Sequence, residues 1–404
     1  MRKDSICLLI SILLISSCGG CTQKSISISK KPVYEDITAN STELENFKLS
    51  YQLNKSSFNL TGILNDNTSL IGVDGDCLYY ENHGKIDPET GTGDIEICLI
   101  DNYTAESPGS NILFSFNGYS YWKYCGVENQ KVYLGLIGSN TVEKGTDIKI
   151  MELSKSGNKT LYQSSHEEPV YAYHLTAMPG YLLLSYETDS HCFLKTICMD
   201  DGLVSLIEET ACSFDQETSM ASGSFIIGAG SMDKDGFYYE VLTLDHELLD
   251  TGGSSSIYYY SLKDQNKSFV LQPERKSLFL SGDSHHIIQS EYDFYDGSRE
   301  SGKIYKRIGN DIYPSTISQI IQGNNIIGAK HAGEANRYIV LYTPFYFYIF
   351  DTVDSVYETI PYYSYDLLDQ GFRSLGFCLS DSQMFYLQDE GGSILLYKWE
   401  LSYN

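Results

Sequence analysis

One element recurs along this chain about every 50 residues, and that recurrence constrains the fold more than any other feature. It is a turn of Asp, Gly or Asn that runs straight into a strand of Tyr and aliphatic residues. Copies read Asp74-Gly75-Asp76-Cys77-Leu78-Tyr79-Tyr80, Glu128-Asn129-Gln130-Lys131-Val132-Tyr133-Leu134, Pro179-Gly180-Tyr181-Leu182-Leu183-Leu184 and Asp235-Gly236-Phe237-Tyr238-Tyr239. They continue as Gly282-Asp283-Ser284-His285-His286-Ile287-Ile288, a looser Glu334-Ala335-Asn336-Arg337-Tyr338-Ile339-Val340, and Asp381-Ser382-Gln383-Met384-Phe385-Tyr386-Leu387. Short apolar runs flank every copy, and no stretch sustains a helical period. The expected class is all-β, assembled from units that bury their faces only against one another.

Four short strands in a unit of this size resemble one blade of a β-propeller. The resemblance implies seven four-stranded blades, with six or eight left open. In the first, Leu70–Val73, Cys77–Glu81, Ile95–Ile100 and Ile112–Phe116 run from inner to outer strand. In the sixth the same places fall to Ile326–Ala329, Tyr338–Tyr342, Phe345–Phe350 and Val356–Ile360. Blade four is set at Ser224 to Gln272, with the longest insertion at His246–Ser256. The last copy supplies only Leu375–Leu379, Met384–Leu387 and Ile394–Leu401. Its missing strand is expected from the N-terminal side, because a closed ring leaves no open edge. Asn46–Leu53 is the first candidate, since Phe47, Leu49, Tyr51 and Leu53 alternate with the period of a half-buried strand. Phe58–Leu64 is the second. The chain has neither a Trp-Asp signature nor clean Asp-boxes, so the likeness is to propellers in general.

The first residues carry an address. Arg2 and Lys3 precede the apolar run Ile6–Ile15, which is too short to span a bilayer and suits a secretory leader. Ile15-Ser16-Ser17-Cys18 then resembles the lipobox of bacterial lipoproteins. The resemblance implies cleavage before Cys18, a diacylglyceryl thioether on its sulfur, and stable attachment by two or three acyl chains. It gives residues 1–17 as the leader, 18–46 as a lipidated, Ser/Thr/Lys/Asn-rich tether and 47–404 as the propeller. The protein is then extracytoplasmic, lipid-anchored to a bacterial cell membrane.

The formal net charge is −25. Such a surface repels nucleic acid and anionic headgroups, so the expected partners are the membrane, through the acyl chains, and a protein or glycan ligand, but no nucleic acid. Cys192 and Cys198 share one strand and stand roughly 20 Å apart, beyond disulfide reach. Cys77 and Cys98 lie on two strands of one hairpin and could face each other. Most cysteines read as small buried apolar residues.

Catalytic patterns are missing. Gly282-Asp283-Ser284 resembles the nucleophile block of one esterase group, yet it precedes a strand and not a helix. His285 and His286 are neighbours on a strand and point to opposite faces. Ser231-Met232-Asp233-Lys234-Asp235-Gly236 looks like half a calcium loop, which leaves Asp233 and Asp235 as a weak cation site, but Leu242 stands where Glu is wanted. No other cofactor is implied. Tyr is unusually frequent, 34 of 404 residues. In strands it fills space between blades. Trp122, Tyr362, Tyr363 and Tyr365 are the candidates for exposed ligand contacts. The leading functional expectation is a membrane-anchored binding or scaffold propeller for a polypeptide, glycan or small solute. Its rivals are an extracytoplasmic glycan hydrolase or lyase and an envelope assembly factor. Inward-facing carboxylates with Arg would favour the enzyme, and a bland or aromatic channel would favour binding.

Overall fold

The computed structural model describes residues 47–401, apart from 50–52, 85–93, 118–120, 140–145, 169, 171, 216–219, 231–234, 249–252, 274–276, 284, 292–300, 309–310, 322–323, 325, 327, 334–335, 344–345, 362–371 and 381. Two strands, β1 (Lys48–Leu49) and β2 (Asn54–Asn59), precede the repeats. The first repeat is β3 (Thr68–Asp74), β4 (Cys77–His83), β5 (Ile95–Ile100) and β6 (Ser110–Phe116), as the pattern predicts. β7 (Tyr121–Glu128), β8 (Lys131–Ser139), β9 (Thr146–Ser154) and β10 (Gly157–His166) form the second. Next come β11 (Ala172–Met178), β12 (Tyr181–Glu187), β13 (His191–Cys198) and β14 (Val204–Asp215), then β15 (Met220–Gly230), β16 (Gly236–Leu248), β17 (Ser254–Ser261) and β18 (Asn266–Leu271). β19 (Ser277–Gly282), β20 (His286–Glu291), β21 (Ser301–Ile308) and β22 (Asp311–Pro314) are followed by the short helix α1 (Ile317–Ile320). β23 (Gly328–Ala332), β24 (Tyr338–Tyr342), β25 (Tyr346–Asp351) and β26 (Val356–Pro361) come next, followed by β27 (Phe372–Ser380), β28 (Gln383–Glu390) and β29 (Ile394–Glu400).

Within each repeat the strands pair antiparallel in chain order, and the first strands touch one another in a closed cycle from β3 round to β27 and back to β3. That is the arrangement of a β-propeller. The apolar residues accordingly form clusters between neighbouring repeats. Ile71, Tyr79 and Ile97 pack on Val132, Leu134 and Met151, and the next interface begins from Tyr133, Ile137 and Ile148. The second strands are buried on both faces, which is why Leu182-Leu183-Leu184 and Ile339-Val340-Leu341 are unbroken apolar runs. Outer strands such as β10 and β18 are mostly exposed.

The recurrent turns occupy equivalent corners. Gly75, Asn129 with Gln130, and Gly180 each link the first strand of a repeat to its second with positive φ. Asn129 and Gln130 are both left-handed, the pair of angles a type I′ hairpin demands.

Three expectations need correction. Among the described residues, hydrogen bonding separates five sheets of four or five strands, not seven, and the strands β11 to β18 make one continuous eight-stranded sheet. Cys212–Asp215 at the end of β14 pairs with Met220–Gly223 at the start of β15, which welds two repeats together. Ser224 is thus inside a strand and not at its start, and the insertion at His246 begins as a prolongation of β16 whose Glu247 and Leu248 pair with Ala221 and Met220.

The second correction concerns closure. The ring is closed by an N-terminal strand, but that strand is β2, which pairs antiparallel with β29 from Asn54 opposite Glu400 to Asn59 opposite Leu395. Asn46–Leu53 does not reach β29. Lys48 and Leu49 instead pair parallel with Val356 and Tyr357 of β26. The alternation serves other partners: Phe47 meets Phe350 edge-on with ring centroids 5.4 Å apart, and Leu53 packs between the last two repeats.

Cys77 and Cys98, thirdly, do not face each other. Cys77 packs toward the second repeat and Cys98 toward the last, on opposite faces of one sheet.

Candidate functional site

The weld between β14 and β15 shapes an opening. Along one face of β16, Phe237, Tyr239 and Val241 pack against the preceding repeat. The next two positions on that face are Thr243 and Asp245, too small and polar to continue the packing. Ser222 and Ser224 on β15, and Ser256 on β17, repeat the change. A cleft of about 650 Å³ results, walled on its other side by Glu208, Thr210, Cys212 and Ser213 of β14 and closed outward by Tyr258 and Lys267. That volume suits a small ligand.

The wall is ordered by its own bonds. Lys267 donates to both oxygens of Glu208, at 2.9 and 2.7 Å, and the Tyr239 hydroxyl donates to the same carboxylate at 2.9 Å. The Lys267 ammonium also stands 5.4 Å from the Tyr258 ring centroid. Ser224 and Thr243 share a hydrogen bond of 2.7 Å. Thr210 is 3% exposed, yet its hydroxyl has no partner in the protein. A buried hydroxyl left unpaired costs about 1–3 kcal/mol, so a ligand group that met it would be rewarded.

The first strands line the axis of the ring. Asp74 and Glu128 stand only at the turns that end β3 and β7, and the Asp74 carboxylate accepts the Gln130 amide at 2.6 Å. The bodies of these strands carry no Asp or Glu, but do carry Lys123, His174, Lys330 and Arg373. Arg373 donates to the carbonyl of Asp66 at 2.7 Å. Lys330 is solvent-exposed although protein surrounds it, and that enclosure lowers its ammonium pKa. The paired carboxylates an axial glycosidase would need are not seen among the described residues.

One buried network has the outline of a catalytic set. The Ser281 hydroxyl bonds His331 Nδ1 at 2.8 Å, and His331 Nε2 is 3.6 Å from Asp283. It lacks access for a substrate: the side chains of His331 and Asp283 are 0% and 1% exposed, and they sit between β19 and β23 where two repeats meet. Asp283 Oδ1 is engaged by the amides of His285 and His286. Burial pushes the His331 imidazole down to about 4, against the partial pull of Asp283 and helped by His286. The set is a pin between repeats. Its sign in pH follows from linkage: between pH 6.5 and 4 the unfolded chain binds a proton that folded His331 refuses, so this residue lowers stability as pH falls through that window. The expected loss is up to about 3 kcal/mol. Urea midpoints measured from pH 7.5 to 4 should fall less steeply in His331→Asn than in the parent, and parallel profiles would refute the assignment.

The predicted contacts are placed unevenly. Trp122 lies on the first strand β7, opposite Leu136. Tyr362, Tyr363 and Tyr365 fall outside the described residues, as does Asp233. Asp235 is exposed just before β16, and its carbonyl accepts the Leu262 amide at 2.9 Å. No group of three His, Cys, Asp or Glu that could hold a metal occurs among the described residues. The residue pattern carries only a trace of the cleft: Ser222-x-Ser224 and Thr243-x-Asp245 put small polar side chains at alternate positions of apolar strands.

No protein-family model matches the chain, and no curated protein matches it. Among solved structures it is similar to the β-propeller domain of the Trilobed protease from Pyrococcus furiosus, at 14% identity and a TM-score of 0.48 over 83% of this chain and 97% of that one. It is also similar to the Pyrococcus horikoshii acylaminoacyl peptidase, at 13% identity and a TM-score of 0.47 over 82% of this chain. This chain spans about half the length of that peptidase, 50%. Sqt1 from Chaetomium thermophilum is similar at 10% identity and a TM-score of 0.42, over 87% of this chain and 100% of that one. The propeller assignment stands on strand pairing alone, and no activity passes from these proteins to this one.

Proposed function

We propose that this chain is a lipid-anchored, extracytoplasmic binding propeller, and that a short glycan or similar polyol occupies the cleft between β14 and β16. The blade count in this reading is seven, the eight-stranded sheet being two blades joined through Cys212–Asp215. The observation that carries the ligand class is the lining: alternating Ser and Thr hydroxyls, the unpaired Thr210 hydroxyl and the Tyr258 ring beside a polar rim. Sugars are held by hydrogen bonds to such groups with an aromatic face against the ring. Thr243 is exposed, so Thr243→Trp should fill the cleft at the cost of one hydrogen bond to Ser224. Calorimetric titration with a panel of soluble oligosaccharides should find a binder for the parent and at least a tenfold weaker one for Thr243→Trp, about 1.4 kcal/mol. Equal affinity, or a panel with no binder, would overturn the reading.

The rival enzyme would use Glu208 and Asp245, the two carboxylates of the lining. Glu208 has both oxygens committed to Lys267 and Tyr239, which argues against an acid–base role. Substrate turnover lost in Asp245→Asn would favour the enzyme.

Anchorage rests on Cys18. Cys18→Ala is expected to leave a full-length precursor with no acyl mass on its N-terminus. An unmodified mature N-terminus at another residue, found by mass spectrometry of the parent, would remove the lipid.

A further inference from the structure

We propose that Cys192 and Cys212 are a dithiol site, which a low-molecular-weight disulfide entering through the cleft converts into an internal disulfide. The two Sγ atoms are 3.7 Å apart. A disulfide needs about 2.0 Å, so closure requires a shift of about 1.7 Å shared by two side chains. Cys212 sits where β14 leaves β13: its amide donates to the Ser190 carbonyl and the next residues pair with β15. A bend at a change of partner is where such a shift is easiest to absorb.

Access differs between the two thiols in a useful way. Cys212 lines the cleft and is partly exposed, whereas Cys192 is 1% exposed. The incoming disulfide therefore meets Cys212 first. The Cys212 thiolate attacks one sulfur of RSSR and expels RS⁻. The Cys192 thiolate then attacks the Cys212 sulfur of the mixed disulfide and expels the second RS⁻. Two protein thiols are oxidised, one external disulfide is reduced to two RSH, and no other oxidant is needed.

Cys192 must lose its proton in a buried place, and Glu187 is its opposite number on β12. The Glu187 side chain hydrogen-bonds the Cys192 thiol, and burial raises its carboxyl well above the ordinary range. Its ionised form is then a stronger base than an exposed carboxylate. Burial raises the Cys192 thiol well above its ordinary range, as it raises those of Cys98 and Cys378, so the pair is singled out by its 3.7 Å separation and by the opening at Cys212 and not by acidity.

The test uses the whole folded chain with oxidised glutathione as the probe. The parent should lose two titratable thiols, and tryptic mapping should recover one linked pair that joins Cys192 to Cys212. Cys192→Ser should stop at a stable glutathione adduct on Cys212, and Cys212→Ser should leave Cys192 unmodified. Glu187→Gln should prolong the adduct seen transiently in the parent. The proposal is overturned by a parent that loses no thiol, that keeps glutathione on Cys212, or that links Cys212 to a different cysteine. Sugar binding is a separate measurement, so either result can fail without the other.

Discussion

A chain beginning at residue 65 is expected to lose several kcal/mol of stability relative to one beginning at residue 53, enough to threaten folding. The shorter chain lacks β2, the strand that closes the ring. Six residues of β2 pair with β29 without a register break, and beyond them the Leu60 amide donates to the Ile394 carbonyl while Ile394 donates to Thr61. Each such bond is worth about 0.5–1.5 kcal/mol net. Packing adds to this. Leu60 is fully buried and Leu64 nearly so, in the cluster that joins the last repeat to the first, and Phe58 meets Tyr103 edge-on at 5.0 Å. The deletion also bares the edge of β29, a surface that recruits other chains. By contrast, among the described residues, starting at 53 removes the two-residue pairing of β1 with β26 and the Phe47 contact. Denaturation midpoints that coincide for the two chains would mean that closure contributes little.

How the repeat could be seen in the residues, and the closing strand could not, has one physical explanation. The second strand of each repeat is sandwiched between neighbours, so it must be apolar on both faces, and the turn before it often needs residues that tolerate positive φ. Both demands are local and leave a mark in the sequence. The closing strand is an outer strand, and β2 is exposed along most of its length, so Asn54-Lys55-Ser56-Ser57 carries almost no apolar mark. The more hydrophobic stretch before it answers to Phe350 and to the cluster around Trp399. The weld between β14 and β15 is hidden for a related reason. Ser222, Gly223 and Ser224 look like turn residues, because their strand is held by backbone bonds and faces a cleft that asks for small polar side chains. The cleft itself gathers residues from five strands spread over 60 positions, which no window of sequence brings together.

Arg337→Leu is expected to cost about 3–5 kcal/mol, more than Asp351→Asn, although the two residues form one ion pair. The asymmetry follows from who is left behind. The Asp351 side chain is 0% exposed, while that of Arg337 is 32% exposed. Arg337 Nε donates to both Asp351 oxygens at 2.9 and 2.8 Å, and Nη2 adds a bond of 2.5 Å to one of them. Leu at 337 strands a carboxylate in the interior with only the amides of Val353 and Asp354, at 3.0 and 3.1 Å, to hold its charge. Asn at 351 strands nothing, because the guanidinium already reaches solvent and also bonds Asp354. Lys at 337 should recover part of the loss: it restores the charge but not the fork that grips two oxygens at once. Combining Arg337→Leu with Asp351→Asn should therefore be more stable than Arg337→Leu alone, since the second change removes the buried charge. Thermal melts of the four proteins measure the coupling, and a double variant that is the least stable of them would show that the pair acts through packing and not through its charges.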